Sequence, residues 1–158
     1  MRDILSWKYS LRRVCIRKDE PRYALRRSPI GNSRMVDLQY MKSPDFKPYE
    51  ENRPWGSFLR FTENEASTVK ILVIDPGEAF SLQYHHHREE VWHVLTGDGT
   101  ITIGKTQLPI QAGDTHVIPP ETLHRVRAGD STVSILEISF GEFDETDIVR
   151  IEDEYGRI

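Results

Sequence analysis

All six histidines of the chain fall between His85 and His124, and imidazole is the side chain best suited to bind a transition metal or to move a proton near neutral pH. Their neighbours are equally informative. One cluster runs Gly77, Gln83-x-His85, Glu90, Gly97; a second runs Gly113, Pro119-x-Glu121, His124, Ala128. Gln83, His85, Glu90 and His124 together offer one amide oxygen, one carboxylate and two imidazoles. Such a shell suits a divalent transition ion and leaves positions open for water or substrate. Its chemistry would be that of a Lewis acid, polarising a carbonyl or steadying an enediolate oxygen. Zinc is the first expectation, and iron, manganese or nickel accept the same donors.

Four side chains so far apart in sequence meet only if strands carry them to a common interior. Beyond Arg53 the chain is a series of short runs rich in Val, Ile, Thr and aromatics. They are broken at even intervals by Asp75-Pro76-Gly77, Gly97-Asp98-Gly99, Gly104-Lys105, Ala112-Gly113-Asp114, Pro119-Pro120 and Gly129-Asp130. This rhythm predicts an antiparallel all-β sandwich or barrel. The expected strands are 57–62, 68–75, 79–86, 90–96, 99–103, 106–110, 115–118, 122–128 and 132–140. Alternation along a strand sets Gln83, His85 and His87 on one face, Glu90, Trp92 and Val94 on one face, and His124, Val126 and Ala128 on one face, with Arg125 and Arg127 turned out. His86, His93 and His116 read as ordinary strand or surface residues. Two cavity-facing groups, His87 and Glu137, are the candidates for an acid–base role, Glu137 alternating with Ile135 along the last run.

A chain of 158 residues and 18.4 kDa holds one domain of ordinary size. No apolar run approaches the roughly 20 residues that span a bilayer, which excludes a membrane-spanning helix. The lone Cys15 can form no internal disulfide, in keeping with a reducing, cytoplasmic setting. The net charge of -4 conceals a split, because residues 1–34 carry ten Lys/Arg against three acids. The basic arm admits a nucleic-acid or a targeting reading. Asp3, Asp19, Glu20 and the scarcity of stacking aromatics argue against both, and a poorly ordered extension is expected. We therefore divide the chain into a basic, disordered N-terminal extension and lead-in, residues 1–50, and a domain over residues 51–158. The tail from Asp144 to Ile158 is expected to pack on the domain as a short helix or strand.

The paired clusters resemble the two motifs of the cupin superfamily, with Gln83 where a first histidine is usual. The resemblance implies an all-β, cupin-type double-stranded β-helix, or jelly-roll barrel. Three further segments are similar to the cupin isomerase domain of type II mannose-6-phosphate isomerases. They are Arg53-Pro54-Trp55-Gly56-Ser57, the run Ser81-Leu82-Gln83-Tyr84-His85-His86-His87-Arg88 with Trp92 after it, and Asp147 to Arg157. The likeness covers residues 53–157. It implies a metal-dependent isomerase interconverting mannose 6-phosphate and fructose 6-phosphate through a cis-enediol, with zinc held by Gln83, His85, Glu90 and His124. It also places Arg53, Lys70, Arg88, Arg150 and Arg157 at positions suited to a sugar phosphate. In that family the cupin commonly follows a guanylyltransferase domain whose Gly-rich signature is absent here, so a stand-alone isomerase domain is expected. Glu121 stands where a glycine is usual, Ala128 where an asparagine is, and Val91-Trp92-His93 replaces His-Trp-Val. The alternative is a non-catalytic module that binds metal and sugar. An iron dioxygenase is disfavoured by Gln83 in place of a third histidine. A homodimer is the expected assembly.

Overall fold

The computed structural model describes residues 46–158, and the basic arm, Cys15 and most of the expected lead-in lie outside the described residues. Eleven strands and no helix are found among the described residues. They are β1 (Tyr49–Arg53), β2 (Gly56–Arg60), β3 (Ser67–Ile74), β4 (Leu82–Tyr84), β5 (Glu89–Thr96), β6 (Asp98–Ile103), β7 (Thr106–Gln111), β8 (Thr115–Ile118), β9 (His124–Ala128), β10 (Val133–Phe140) and β11 (Val149–Glu152). β1 and β2 form a hairpin of their own. The others make a four-stranded sheet, β3-β10-β5-β8, and a five-stranded sheet, β11-β4-β9-β6-β7. Every strand pairing is antiparallel. None of the described residues forms a helix long and apolar enough to cross a membrane.

Alternate residues of the core strands face inward, so the inner faces of the two sheets supply one apolar interior. Trp92, Val94, Ile118, Val133 and Ile135 from the four-stranded sheet meet Ile101, Ile110, Val126 and Ala128 from the five-stranded one. Phe80 meets the Trp92 ring edge-on at 5.4 Å, a geometry that adds about 0.5–1.5 kcal/mol beyond area burial. The outer face of the four-stranded sheet is covered in part by a second cluster, in which Phe46 and Phe61 pack on Val91, Val117, Ile138 and Phe140. Gly97 closes the turn between β5 and β6 with φ +84°, and a Cβ there would stand 2.3 Å from the Thr132 carbonyl oxygen. Only glycine fits that corner.

The third expected strand, 79–86, is corrected to the three residues of β4. Ala79 keeps only an isolated bridge to Arg127, and after Tyr84 the chain bends because the His86 and His87 amides donate to the Asp147 carboxylate rather than to a neighbouring strand. The run expected at 122–128 starts at His124, after a turn in which the Thr122 amide bonds the Pro119 carbonyl. β1 begins at Tyr49, inside the stretch assigned to the lead-in, where the flanking Pro and Lys masked a pairing visible only with its partner β2. The tail resolves into β11, which pairs with β4 and lays Arg150 opposite Gln83.

Candidate metal centre

Three strands and one turn bring the site together. Glu90 lies on the inner face of β5, and His124 opens β9 on the inner face of the other sheet. Gln83 in β4 pairs with His124 in register, and His85 follows β4 at the start of the bend. His85, Glu90 and His124 are all buried, and their ligand atoms lie within 4.8 Å of one another. Nε2 of His85 stands 3.3 Å from Glu90 Oε1, and Nε2 of His124 stands 3.8 Å from Glu90 Oε2.

Both imidazoles are oriented from behind. His85 Nδ1 donates to the Asp147 main-chain carbonyl at 2.7 Å, and His124 Nδ1 donates to the Thr122 carbonyl at 2.8 Å. The proton on Nδ1 leaves the lone pair on Nε2, facing Glu90. Burial lowers the pKa of His85, with the nearby Glu90 carboxylate opposing the shift, and burial drives that of His124 down to about 4. Both rings are therefore neutral near pH 7. His124 Nε2 is buried with no hydrogen-bond partner, an orphaned lone pair that costs free energy unless something binds it. A divalent metal satisfies that atom, so the residues present fit such an ion.

Gln83 lines the adjoining cavity, and its Oε1 accepts the Ser81 hydroxyl at 2.7 Å. That cavity measures about 370 Å³ and is lined by Lys70, Gln83, Arg88, Trp92, Glu137 and Arg157, among others. Glu137 is buried on the inner face of β10, between Lys70 of β3 and Trp92 of β5 in the strand registers. Desolvation first, and repulsion from Glu90 second, raise its pKa to about 7 despite Lys70 and Arg88. His87 is exposed in the bend and does not line the cavity, because strand alternation ends at Tyr84.

The five expected phosphate contacts separate into distinct places. Lys70 and Arg157 border the cavity. Lys70 pairs with Glu145 at 2.8 Å and lies over the Phe143 ring, while Arg157 pairs with Asp153 and stacks on Tyr155. Arg150 is half-buried on β11, its Nε without a hydrogen-bond partner. Arg53 sits in the β1–β2 hairpin, paired with Glu51 at 2.7 Å and outside the cavity lining. Arg88 is only 3% exposed and lies inside the ligand cluster. Its Nε donates to Glu90 Oε1 at 2.8 Å, one terminal nitrogen approaches His85 Nε2 at 3.0 Å, and the other donates to the Asp144 carbonyl at 2.9 Å.

His86, His93 and His116 stay outside the cluster. His86 bonds Glu121 at 2.8 Å and His93 bonds the Thr115 hydroxyl at 2.8 Å. Sequence reasoning expected the tail from Asp144 to pack on the domain but did not foresee that the segment from Phe143 to Asp147 wraps Arg88, Lys70 and His85. It also missed the indole of Trp92, which donates to Glu90 Oε2 at 3.2 Å. The contacts of the first follow no local periodicity. The second had a signal: Trp92 lies two residues from Glu90 on the same strand face.

A family model described as Mannose-6-phosphate isomerase C-terminal matches residues 45–153. The chain belongs to this mannose-6-phosphate isomerase C-terminal family. Among curated relatives, mannose-1-phosphate guanylyltransferase RfbM of Salmonella typhimurium is 32% identical over 125 residues, covering 75% of this chain and 26% of that protein. The xanthan biosynthesis protein XanB of Xanthomonas campestris is 36% identical over 107 residues, covering 66% of this chain and 23% of that protein. The chain thus spans about a quarter of the length of these relatives. Among solved structures, a double-stranded β-helix protein from Klebsiella pneumoniae superposes with a TM-score of 0.50 at 18% identity, covering 75% of this chain and 95% of that one. The epimerase RmlC of Legionella pneumophila superposes with a TM-score of 0.54 at 10% identity, covering 66% and 70%. These likenesses show the fold, a cupin-type double-stranded β-helix.

Proposed function

We propose that this family member is a metal-dependent sugar-phosphate isomerase that interconverts mannose 6-phosphate and fructose 6-phosphate. The observation that carries the reading is the convergence of His85, Glu90 and His124 beside a cavity that holds Glu137, a carboxyl whose pKa of about 7 suits proton transfer in either direction. Gln83, His85, Glu90 and His124 would hold the ion, zinc in the first instance, which supplies electrostatic stabilisation of the oxyanion that develops at the sugar's carbonyl.

The chain's own residues do the rest. Ionised Glu137 takes the proton from C2 of the open-chain aldose as the C1 carbonyl oxygen gains one, which gives the cis-enediol. Protonated Glu137 then returns a proton to C1 while the C2 hydroxyl loses one and becomes the ketone carbonyl, so no proton is gained or lost over the cycle. Lys70 and Arg157 at the cavity supply cationic groups for the phosphate, and arginine's planar fork matches it in a bidentate way. Trp92 and Phe80 give the cavity an apolar wall beside Glu137.

We place the protein in the cytoplasm, feeding mannose activation, in keeping with the guanylyltransferase names of its relatives. We also assign it a homodimer. β3 is an edge strand whose outer face exposes Val69, Ile71 and Val73, a surface that face-to-face packing of two copies about a two-fold axis would cover. The deciding experiment is a coupled assay of mannose 6-phosphate turnover on protein of measured metal content. Turnover that follows metal loading and is lost in Glu137→Gln supports the reading. Stoichiometric metal and hexose-phosphate binding without turnover overturns it in favour of a binding module.

A further inference from the structure

One residue stands where the proposed chemistry has no use for it. Arg88 is not at the cavity mouth but is tied into the ligand cluster by three polar contacts, to Glu90 Oε1, His85 Nε2 and the Asp144 carbonyl. Its guanidinium also lies 4.9 Å from the Phe143 ring centroid. Since His85 Nδ1 already donates to Asp147, Nε2 has a single lone pair, and an Arg88 N–H points into it. A lone pair accepts one partner. A divalent ion bound by His85 needs that pair, and it needs Glu90, whose Oε1 is engaged by Arg88 Nε. A dication and a guanidinium within bonding distance of the same two atoms would also repel each other strongly in a buried setting.

From this we infer that Arg88 is a cationic gate of the metal centre: its guanidinium and a divalent ion compete for His85 Nε2 and Glu90 Oε1, so loading the ion expels the guanidinium. The inference rests on the metal-dependent reading above, and it adds a position change that the reading does not require. His124 supports it, because its Nε2 lacks any partner and offers a first foothold that Arg88 does not contest. The cavity that Arg88 lines gives the displaced group somewhere to turn, on the same side as Lys70 and Arg157. Metal loading would then add a third cation to the place where an anionic substrate is held.

The test uses the full chain and zinc alone. In protein labelled with 15N-arginine, the Arg88 Nε–H signal, identified by its loss in Arg88→Lys, is expected to be shielded from exchange by its buried bond to Glu90. One equivalent of zinc should move it to the position and exchange rate of an exposed arginine. Calorimetric titration of Arg88→Met should show zinc bound at least tenfold more tightly than by the wild-type chain. An Arg88 signal unmoved by bound zinc, or an Arg88→Met affinity equal to or weaker than wild type, overturns the inference. Zinc binding that is absent from the wild type, or that persists unchanged in His124→Ala, is a different failure and sinks the metal centre itself. Should Arg88→Met not fold, the wild-type resonance decides alone.

Discussion

Gln83 faces His124 directly across the β4–β9 pair, the one register position that joins these strands. An amide and an imidazole set opposite each other share a sheet face, so the first proposed ligand of one motif is delivered beside the last proposed ligand of the other. His124→Ala removes a buried donor with no substitute and should abolish stoichiometric zinc binding. Gln83→Ala removes a weaker, neutral donor and should lower affinity by roughly 10- to 100-fold, a range typical of the supporting groups of metal sites. Zinc titration with a competing chelator reads both, and equal affinities for Gln83→Ala and wild type would remove Gln83 from the shell.

Glu137 ties activity and stability to pH in opposite senses. Its folded pKa of about 7 lies above the unfolded carboxylate value, so the folded protein holds a proton there that the unfolded chain releases. The resulting penalty is absent below about pH 4.5, grows as pH rises to 7, and is constant beyond. Glu137→Gln should therefore be more stable than wild type at pH 8, by on the order of 2–3 kcal/mol, and equal to it at pH 4. The same substitution should lower kcat by about 100-fold or more, and the wild-type rate should rise with pH through about 7. Denaturant melts at two pH values and a pH–rate profile check the pair of effects.

Asp147 orders the bend after β4. Burial raises its carboxyl pKa, but the amides of His86 and His87 more than reverse this, and the net shift is downward. A depressed carboxyl stabilises the fold above its unfolded value, near pH 4, and ceases to do so as pH falls through the folded value. Asp147→Ala should cost about 1–2 kcal/mol at pH 7, the worth of two amide bonds to a charged acceptor on a partly exposed loop. The zinc affinity should change much less than the stability, because His85 is held by the main-chain oxygen of this residue. A melt and a zinc titration on one variant separate the two.

Glu121 adopts φ +61°, the left-handed region in which a side chain costs about 1 kcal/mol or more. Two contacts offset that cost: its amide donates to the His85 carbonyl at 2.7 Å, and its carboxylate bonds the His86 ring at 2.8 Å. The second contact raises the His86 pKa. Glu121→Gln should return the His86 titration to the ordinary range near 6.5 without disturbing zinc binding, as followed by imidazole NMR. A His86 titration that does not move would assign its elevation to Asp147 instead.

The strands were legible where side chains alternate between faces. β9 buries every second residue, while β5 and β10 also bury part of their other face, where Val91, Ile138 and Phe140 pack under Phe46 and Phe61; the inward sets Glu90-Trp92-Val94, His124-Val126-Ala128 and Ile135-Glu137 follow period two. The facing of Glu90 and His124 into one interior followed from the same rule, whereas His85 lies one residue past β4 and joins them from the bend. His87 shows where the rule stops. It lies beyond the end of β4, in a bend set by Asp147, some sixty positions later in the chain, and no local pattern reports a partner so distant. Arg88 fails differently: an arginine in a motif reads as a solvent-facing cation, and only the assembled barrel shows a buried carboxylate waiting for it. Glu121 was visible only as a departure from glycine; its positive φ and the His86 contact that offsets it depend on residues distant in the chain.

That His85 and His124 are both steered by peptide carbonyls, of Asp147 and Thr122, bears on how this centre tolerates evolutionary drift. The identity of residue 122 can wander without re-aiming its imidazole, since any amino acid brings the same oxygen, whereas residue 147 is also held to Asp by the amides of His86 and His87. Insertions or deletions in the two connecting loops would displace those oxygens at once. Lineages descended from this chain should therefore keep the lengths of those loops long after their letters have changed.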